Sequence, residues 1–139
     1  MSKNNTIIVV DDNKGVLSAL QLLLKNHFKN IITLSSQVTL LSTINKEKPQ
    51  VILLDMNFTS GNNPGNEGLF WLHQIKKKSP NIPVVLFTAY ADSELAVKGI
   101  KEGATDFIVQ PWDNLKLFEI LLNVANTHTM SIQKHAENQ

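Results

Sequence analysis

The chain has 139 residues, 42% of them hydrophobic, with a formal net charge of +1 and no cysteine. That size suits one compact domain with its own core, and the dispersed, near-neutral charge gives no electrostatic case for direct nucleic-acid binding. Without cysteine, disulfides, thiolate catalysis and Cys-based zinc sites are excluded. No apolar stretch approaches the ~20 residues of a membrane helix. The amino terminus lacks a signal-peptide pattern, because its short apolar stretch runs straight into Asp11-Asp12. The expected location is cytoplasmic, with no membrane association.

Thr6–Val10 is short, apolar and β-branched, the pattern of a strand buried on both faces. A helix follows over Lys14–Phe28, with Val16, Leu17, Leu20, Leu23, Leu24 and Phe28 spaced by threes and fours. Ile31–Leu34 predicts a second strand. Ser35 and Ser36 are candidate N-caps for a helix through about Lys46, with Val38, Leu41 and Ile44 facing inward. Val51–Leu54 predicts the central strand, and the Gly/Asn-rich stretch Asn57–Asn66 predicts a loop. A third helix spans about Glu67–Lys78 and buries Leu69, Phe70, Leu72 and Ile75. Its terminal Lys76-Lys77-Lys78 run complements the helix dipole and solvates a face. Val84–Phe87 predicts the fourth strand and Ser93–Glu102 the fourth helix, with Gly103 as its left-handed C-terminal residue. Phe107–Val109 predicts the fifth strand and Asn114–Thr127 the last helix. The polar tail Ser131–Gln139 either frays or continues as a linker helix.

Five strands alternating with five helices predict an α/β three-layer sandwich with right-handed crossovers. The flavodoxin-like order 2-1-3-4-5 is expected, with the ligand site at the switch point between the first and third strands. Four apolar strands then end in Asp11-Asp12, Asp55, Thr88 and Gln110-Pro111 on one edge of the sheet. Each residue alone has a plain reading, as a helix cap, an Asx turn or a strand terminus. Together, three carboxylates repel one another and raise each other's pKa unless a cation neutralises them. Oxygen-only ligands suit Mg²⁺ or Mn²⁺. A carboxylate beside such an ion can act as nucleophile toward a phosphoryl group, with the Thr88 hydroxyl placed to bond a phosphoryl oxygen.

VVDDN, LLDMN, FTA and Pro111 occur in order over residues 5–127, and in this the chain resembles the receiver domain of bacterial two-component response regulators. The resemblance implies a receiver over residues 1–128, followed by a tail or the start of a linker at 129–139. It implies that Asp55 is the phosphoacceptor, and that Asp11, Asp12, Asp55 and Asn57 hold Mg²⁺, Asn57 through its backbone carbonyl. Thr88 and Phe107 match the switch pair. Thr88, Ala89 and Gln110 match the positions around the phosphoryl group, and the peptide bond before Pro111 is usually cis. The implied partners are a sensor histidine kinase or phosphotransfer protein, and a second copy docked through the fourth helix, fifth strand and last helix. NEGLFWL and PWDN look similar to receivers of sigma-54-dependent transcriptional activators, whose ATPase and helix-turn-helix domains are not within these residues. Such a chain is a signalling switch and not an ordinary enzyme.

Two positions depart from the family pattern. Gln110 stands where the family has Lys, so no ammonium faces Asp55 there, and a pseudo-receiver that signals without phosphate is the alternative reading. Gly68 lies thirteen residues after Asp55, where the family places a Gly at about ten. The extra residues are either a neutral surface insertion, which long loops tolerate, or a loop that shields the phosphoryl group or selects the kinase. A haloacid-dehalogenase-type phosphatase would want Asp at position 57. An FMN binder would want a Ser/Thr/Gly-rich loop where DDNKG stands. The four His show no metal-ligand spacing.

Overall fold

The structure is a computed structural model that describes residues 5–56, 66–89 and 93–137. Five strands and five helices alternate as β1 (Thr6–Val10), α1 (Lys14–Leu24), β2 (Asn30–Leu34), α2 (Leu40–Glu47), β3 (Val51–Asp55), α3 (Asn66–Lys78), β4 (Val84–Ala89), α4 (Ser93–Lys101), β5 (Asp106–Gln110) and α5 (Asn114–Glu137). The strands form one parallel sheet in the order β2-β1-β3-β4-β5. The expected flavodoxin-like architecture is therefore present.

Parallel strands covered by helices on both faces are close to continuously apolar, and Ile7–Val10 of β1 and the first four residues of β3 are, with the polar Thr6 buried at the start of β1. Successive side chains point to opposite faces, so the strands divide between two cores. Ile7, Val9, Val51, Leu53, Val85, Phe87 and Ile108 pack with α1 and α5. Ile8, Val10, Ile52, Leu54, Val84 and Leu86 pack with α2 and α3. Gly103, in the left-handed region at φ 119°, ends the α4 turn as expected.

The helices correct four expectations. The first helix ends at Leu24, yet Phe28 is still buried in the turn that follows it. The second begins at Leu40, with Thr39 as a cap that makes no side-chain bond, so neither Ser35 nor Ser36 caps it. Ser36 instead accepts from the Val38 amide in a local turn at 3.4 Å, a bond within a residue pair that competes with helix formation. Val38 thus lies before the helix and is 88% exposed, not inward. In α3, Gly68, Leu69, Leu72 and Ile75 share the buried face. At about 100° per residue Phe70 stands across the helix from Gly68, and it is 52% exposed rather than buried. It meets the partly buried Trp71 edge-on, with ring centroids 5.1 Å apart. The polar tail does not fray within the described residues; α5 continues to Glu137.

Candidate functional site

The turn from β1 into α1 is pinned by short polar bonds. The Asp11 amide donates to the Leu34 carbonyl at 3.0 Å, tying the end of β1 to β2. Asp11 Oδ1 accepts from the Asn13 amide at 2.8 Å. Asn13 is the N-cap of α1, and its Oδ1 accepts from the Val16 amide at 3.1 Å. This chain of bonds orients the Asp11 carboxylate while starting the helix. Asn13 was not singled out in the sequence, although an Asn directly before a helical period is a standard cap signal.

Asp55 is the last residue of β3 and pairs in register with Phe87 of β4. The next amide, Met56, donates to the Phe87 carbonyl at 2.9 Å, so the β3–β4 ladder continues past the carboxylate. Ligand atoms of Asp11, Asp12 and Asp55 all lie within 4.8 Å of one another. Asp11 and Asp55 are 2% and 6% exposed, whereas Asp12 is exposed. Burial pushes the Asp11 carboxyl above the ordinary carboxylate range; the Asn13 amide opposes the shift and the Asp12 charge adds to it. Clustered, partly desolvated carboxylates of this kind are relieved by a hard divalent cation, and the donor set is all oxygen, so the three residues fit one.

Strand alternation sorts the remaining residues. Continuing it places Asp11, Asp55 and Gln110 on the α1/α5 face, with Phe87 and Ile108. Thr88 falls on the opposite face, as does Phe107, which packs against the α2/α3 core. Thr88 is fully buried and Phe107 half-buried on the neighbouring strand. Ala89 ends β4 in register with Gln110, which is half-buried at the end of β5 and joined to Pro111 by a cis peptide bond. Asn57 and the other residues through 65, where the sequence predicts a loop, lie outside the described residues.

Trp112 stands in the PWDN segment but was assigned no role at the site from the sequence. Its ring lies 5.4 Å from that of Phe87, the register partner of Asp55, and its Nε1 donates to Asn114 Oδ1 at 2.8 Å. Its one signal was an aromatic residue directly after the X-Pro step. A cleft of about 1250 Å³, lined by Pro83, Thr105, Phe118 and Leu122 among others, contains none of the three carboxylates.

The profile of the family described as "Response regulator receiver domain" matches residues 7–122. This chain belongs to the response regulator receiver domain family. A crystal structure of the N-terminal signal receiver domain of a two-component system response regulator from Bacteroides fragilis is 66% identical, with a TM-score of 0.80 over 87% of this chain and 96% of that one. The receiver domain of NtrX from Brucella abortus is 29% identical, with a TM-score of 0.77 over 87% of this chain and 98% of that one. The transcriptional regulatory protein ZraR of Escherichia coli K12 is 33% identical over 131 residues, 93% of this chain. The chain spans only about a quarter of the curated relatives it matches, 28% of ZraR and 21% of the transcriptional regulator NtrC of Klebsiella pneumoniae. This receiver domain is thus related to transcriptional regulators. None of its described helices is long and apolar enough to cross a membrane.

Proposed function

We propose that this receiver is the phosphoacceptor switch of a two-component phosphorelay, with Asp55 as the acceptor. The carrying observation is the convergence of Asp11, Asp12 and Asp55 within 4.8 Å on a receiver fold. Asp11, Asp12 and Asp55, with the Asn57 carbonyl, would hold Mg²⁺, which when bound neutralises the carboxylates and draws charge from the transferring oxygens. An Asp55 carboxylate oxygen attacks the phosphorus of a phosphohistidine on a sensor histidine kinase or phosphotransfer protein. The new O–P bond forms as the P–N bond breaks, and the imidazole leaves with its electron pair and takes up a proton. The chain is a substrate and switch in this reaction rather than an ordinary enzyme.

The product places a dianion beside Thr88 and Ala89. The Thr88 hydroxyl moves to bond it, and Phe107, on the same face of the neighbouring strand, fills the space released. The result is a population shift between two packings of one core. The surface of α4, β5 and α5 reads it out and forms a homodimer. The output is transcriptional, in the manner of the sigma-54-dependent activators, and is carried by segments beyond the receiver, which ends near residue 128, with 129–139 starting the linker. The names of the curated relatives support that output, and the net charge of +1 supports leaving DNA contact to other segments. The chain acts in the cytoplasm.

Gln110 favours a second reading. Without an ammonium beside the acyl phosphate, a charge-assisted bond of about 1.5–3 kcal/mol is replaced by a weaker neutral one. A pseudo-receiver would signal through its surfaces without phosphate. Intact-mass spectrometry after incubation with acetyl phosphate separates the two readings. A single Mg²⁺-dependent phosphoryl adduct, absent in Asp55→Asn, supports the phosphorelay reading; no adduct in the presence of Mg²⁺ overturns it.

A further inference from the structure

Three carboxylates meet at the C-terminal edge of the sheet, and the charge that answers them must come from somewhere. The chain has 13 Lys and Arg residues, all of them Lys. None lies in the segments 57–65 or 90–92 that connect to this edge. Of the helices that start there, α1 carries Lys14 and α5 carries Lys116 in the first turn, and both side chains are exposed. Screening by water leaves such charges little hold on a buried carboxylate. On the sheet itself, the residue that shares the Asp55 face at the end of β5 is Gln110, half-buried and neutral. The cluster therefore has a formal charge of −3 when ionised, and the end of β5 on its face contributes an amide rather than a cation.

We propose that Gln110 is the affinity-determining residue of the cation site. An ammonium at that position would offset part of the negative charge that Asp11, Asp12 and Asp55 present to a divalent ion, and the neutral amide does not, so that this receiver binds Mg²⁺ more tightly than it would with an ammonium at position 110. The inference rests on the phosphoacceptor reading of the same site. β3 and β5 are two strand spacings apart, roughly 10 Å, and a long side chain closes part of that gap. A unit charge near that range, under screening between that of water and of a protein surface, changes divalent affinity by about tenfold.

The test uses the chain itself, with Mg²⁺ as the probe. Binding is read in two ways: by the fluorescence of Trp112 in a Trp71→Phe background, and by the rise in Tm with Mg²⁺ concentration. Gln110→Lys should weaken Mg²⁺ by about tenfold, and Gln110→Glu should tighten it by a similar factor. The opposite signs keep the proposal testable when one variant fails to fold. Equal affinity across either charge change, or tighter binding in Gln110→Lys, overturns it. Unchanged affinity together with an acetyl-phosphate adduct on Asp55 defeats this inference and leaves the phosphoacceptor reading standing. No Mg²⁺ binding by either readout defeats both.

Discussion

Gly68 touches the backbone of Met56: a Cβ on Gly68 would stand 2.7 Å from Met56 Cα and 2.9 Å from its carbonyl oxygen. The first full turn of α3 is thereby laid directly on the residue after Asp55. This contact accounts for a Gly at this point of the chain, wherever the preceding loop sets its count. In an open helix Gly→Ala gains roughly 0.5–1 kcal/mol. Here the obstacle is backbone and cannot step aside. Gly68→Ala should lose about 1–3 kcal/mol, a fall in Tm of roughly 4–12 °C, measured by thermal unfolding. A neutral or stabilised variant would show that α3 is free to lift from β3.

A second close approach has a side chain as its obstacle. A Cβ on Gly99 of α4 would lie 2.2 Å from Cδ1 of the fully buried Leu86. Gly99→Ala should therefore destabilise, and Leu86→Ala alone should cost about 2–5 kcal/mol by cavity formation. Combined, the two should cost at least about 1 kcal/mol less than their sum, because the new methyl enters the hole. Strict additivity in urea unfolding would rule out direct packing of α4 on β4 at this point.

The buried Asp11 carboxylate costs stability that a cation bound under the proposed function would return. Burial raises its carboxyl above the ordinary 3.8, so the folded chain holds a proton there that the unfolded chain has released. Above that window the ionised carboxylate lowers stability; the penalty fades as pH falls toward 3.8. Asp11→Asn keeps the oxygen that accepts from the Asn13 amide and removes the charge. The metal-free variant should melt higher than wild type at pH 7, with the gap closing on acidification. Mg²⁺ should raise the Tm of the wild type alone. Calorimetry at pH 7 and pH 4.5, with and without Mg²⁺, tests each sign.

Lys76 makes a similar case at the other end of the pH scale. Its Nζ donates to the Ile82 carbonyl at 3.0 Å, and burial holds its ammonium below the usual 10.5. The folded state releases this proton before the unfolded state does, so stability rises as pH climbs through the depressed value toward 10.5. Lys76→Met lacks that gain. Its urea midpoint should fall progressively behind wild type as pH rises toward 10.5. A pH-independent difference would assign Lys76 a packing role only.

The sheet order was legible because β1 from Ile7 to Val10 and β3 from Val51 to Leu54 are continuously apolar, the mark of strands covered on both faces. The carboxylates were legible because strand ends in a parallel sheet share an edge. Contacts distant in sequence were not. Phe70 follows the apolar count of α3, but the contact between Gly68 and Met56 rotates that helix and turns Phe70 outward. Val38 belongs to the right composition for a helix, but the Ser36 hydroxyl holds its amide in a turn. Trp112 mattered only once β4 was known to bring Phe87 beside it.

The length of α5 has a mechanical consequence. Its 24 residues make a rod of about 36 Å, laid against strands of about 20 Å. The buried anchors Leu117, Leu121, Val124 and Ala125 seat its first half against the sheet. A small tilt of that seated half is carried along the length that follows it. A tilt of about 5° at the seated end swings the far tip through about 3 Å, so repacking too small to see at Asp55 arrives at Glu137 as a displacement the width of an atom.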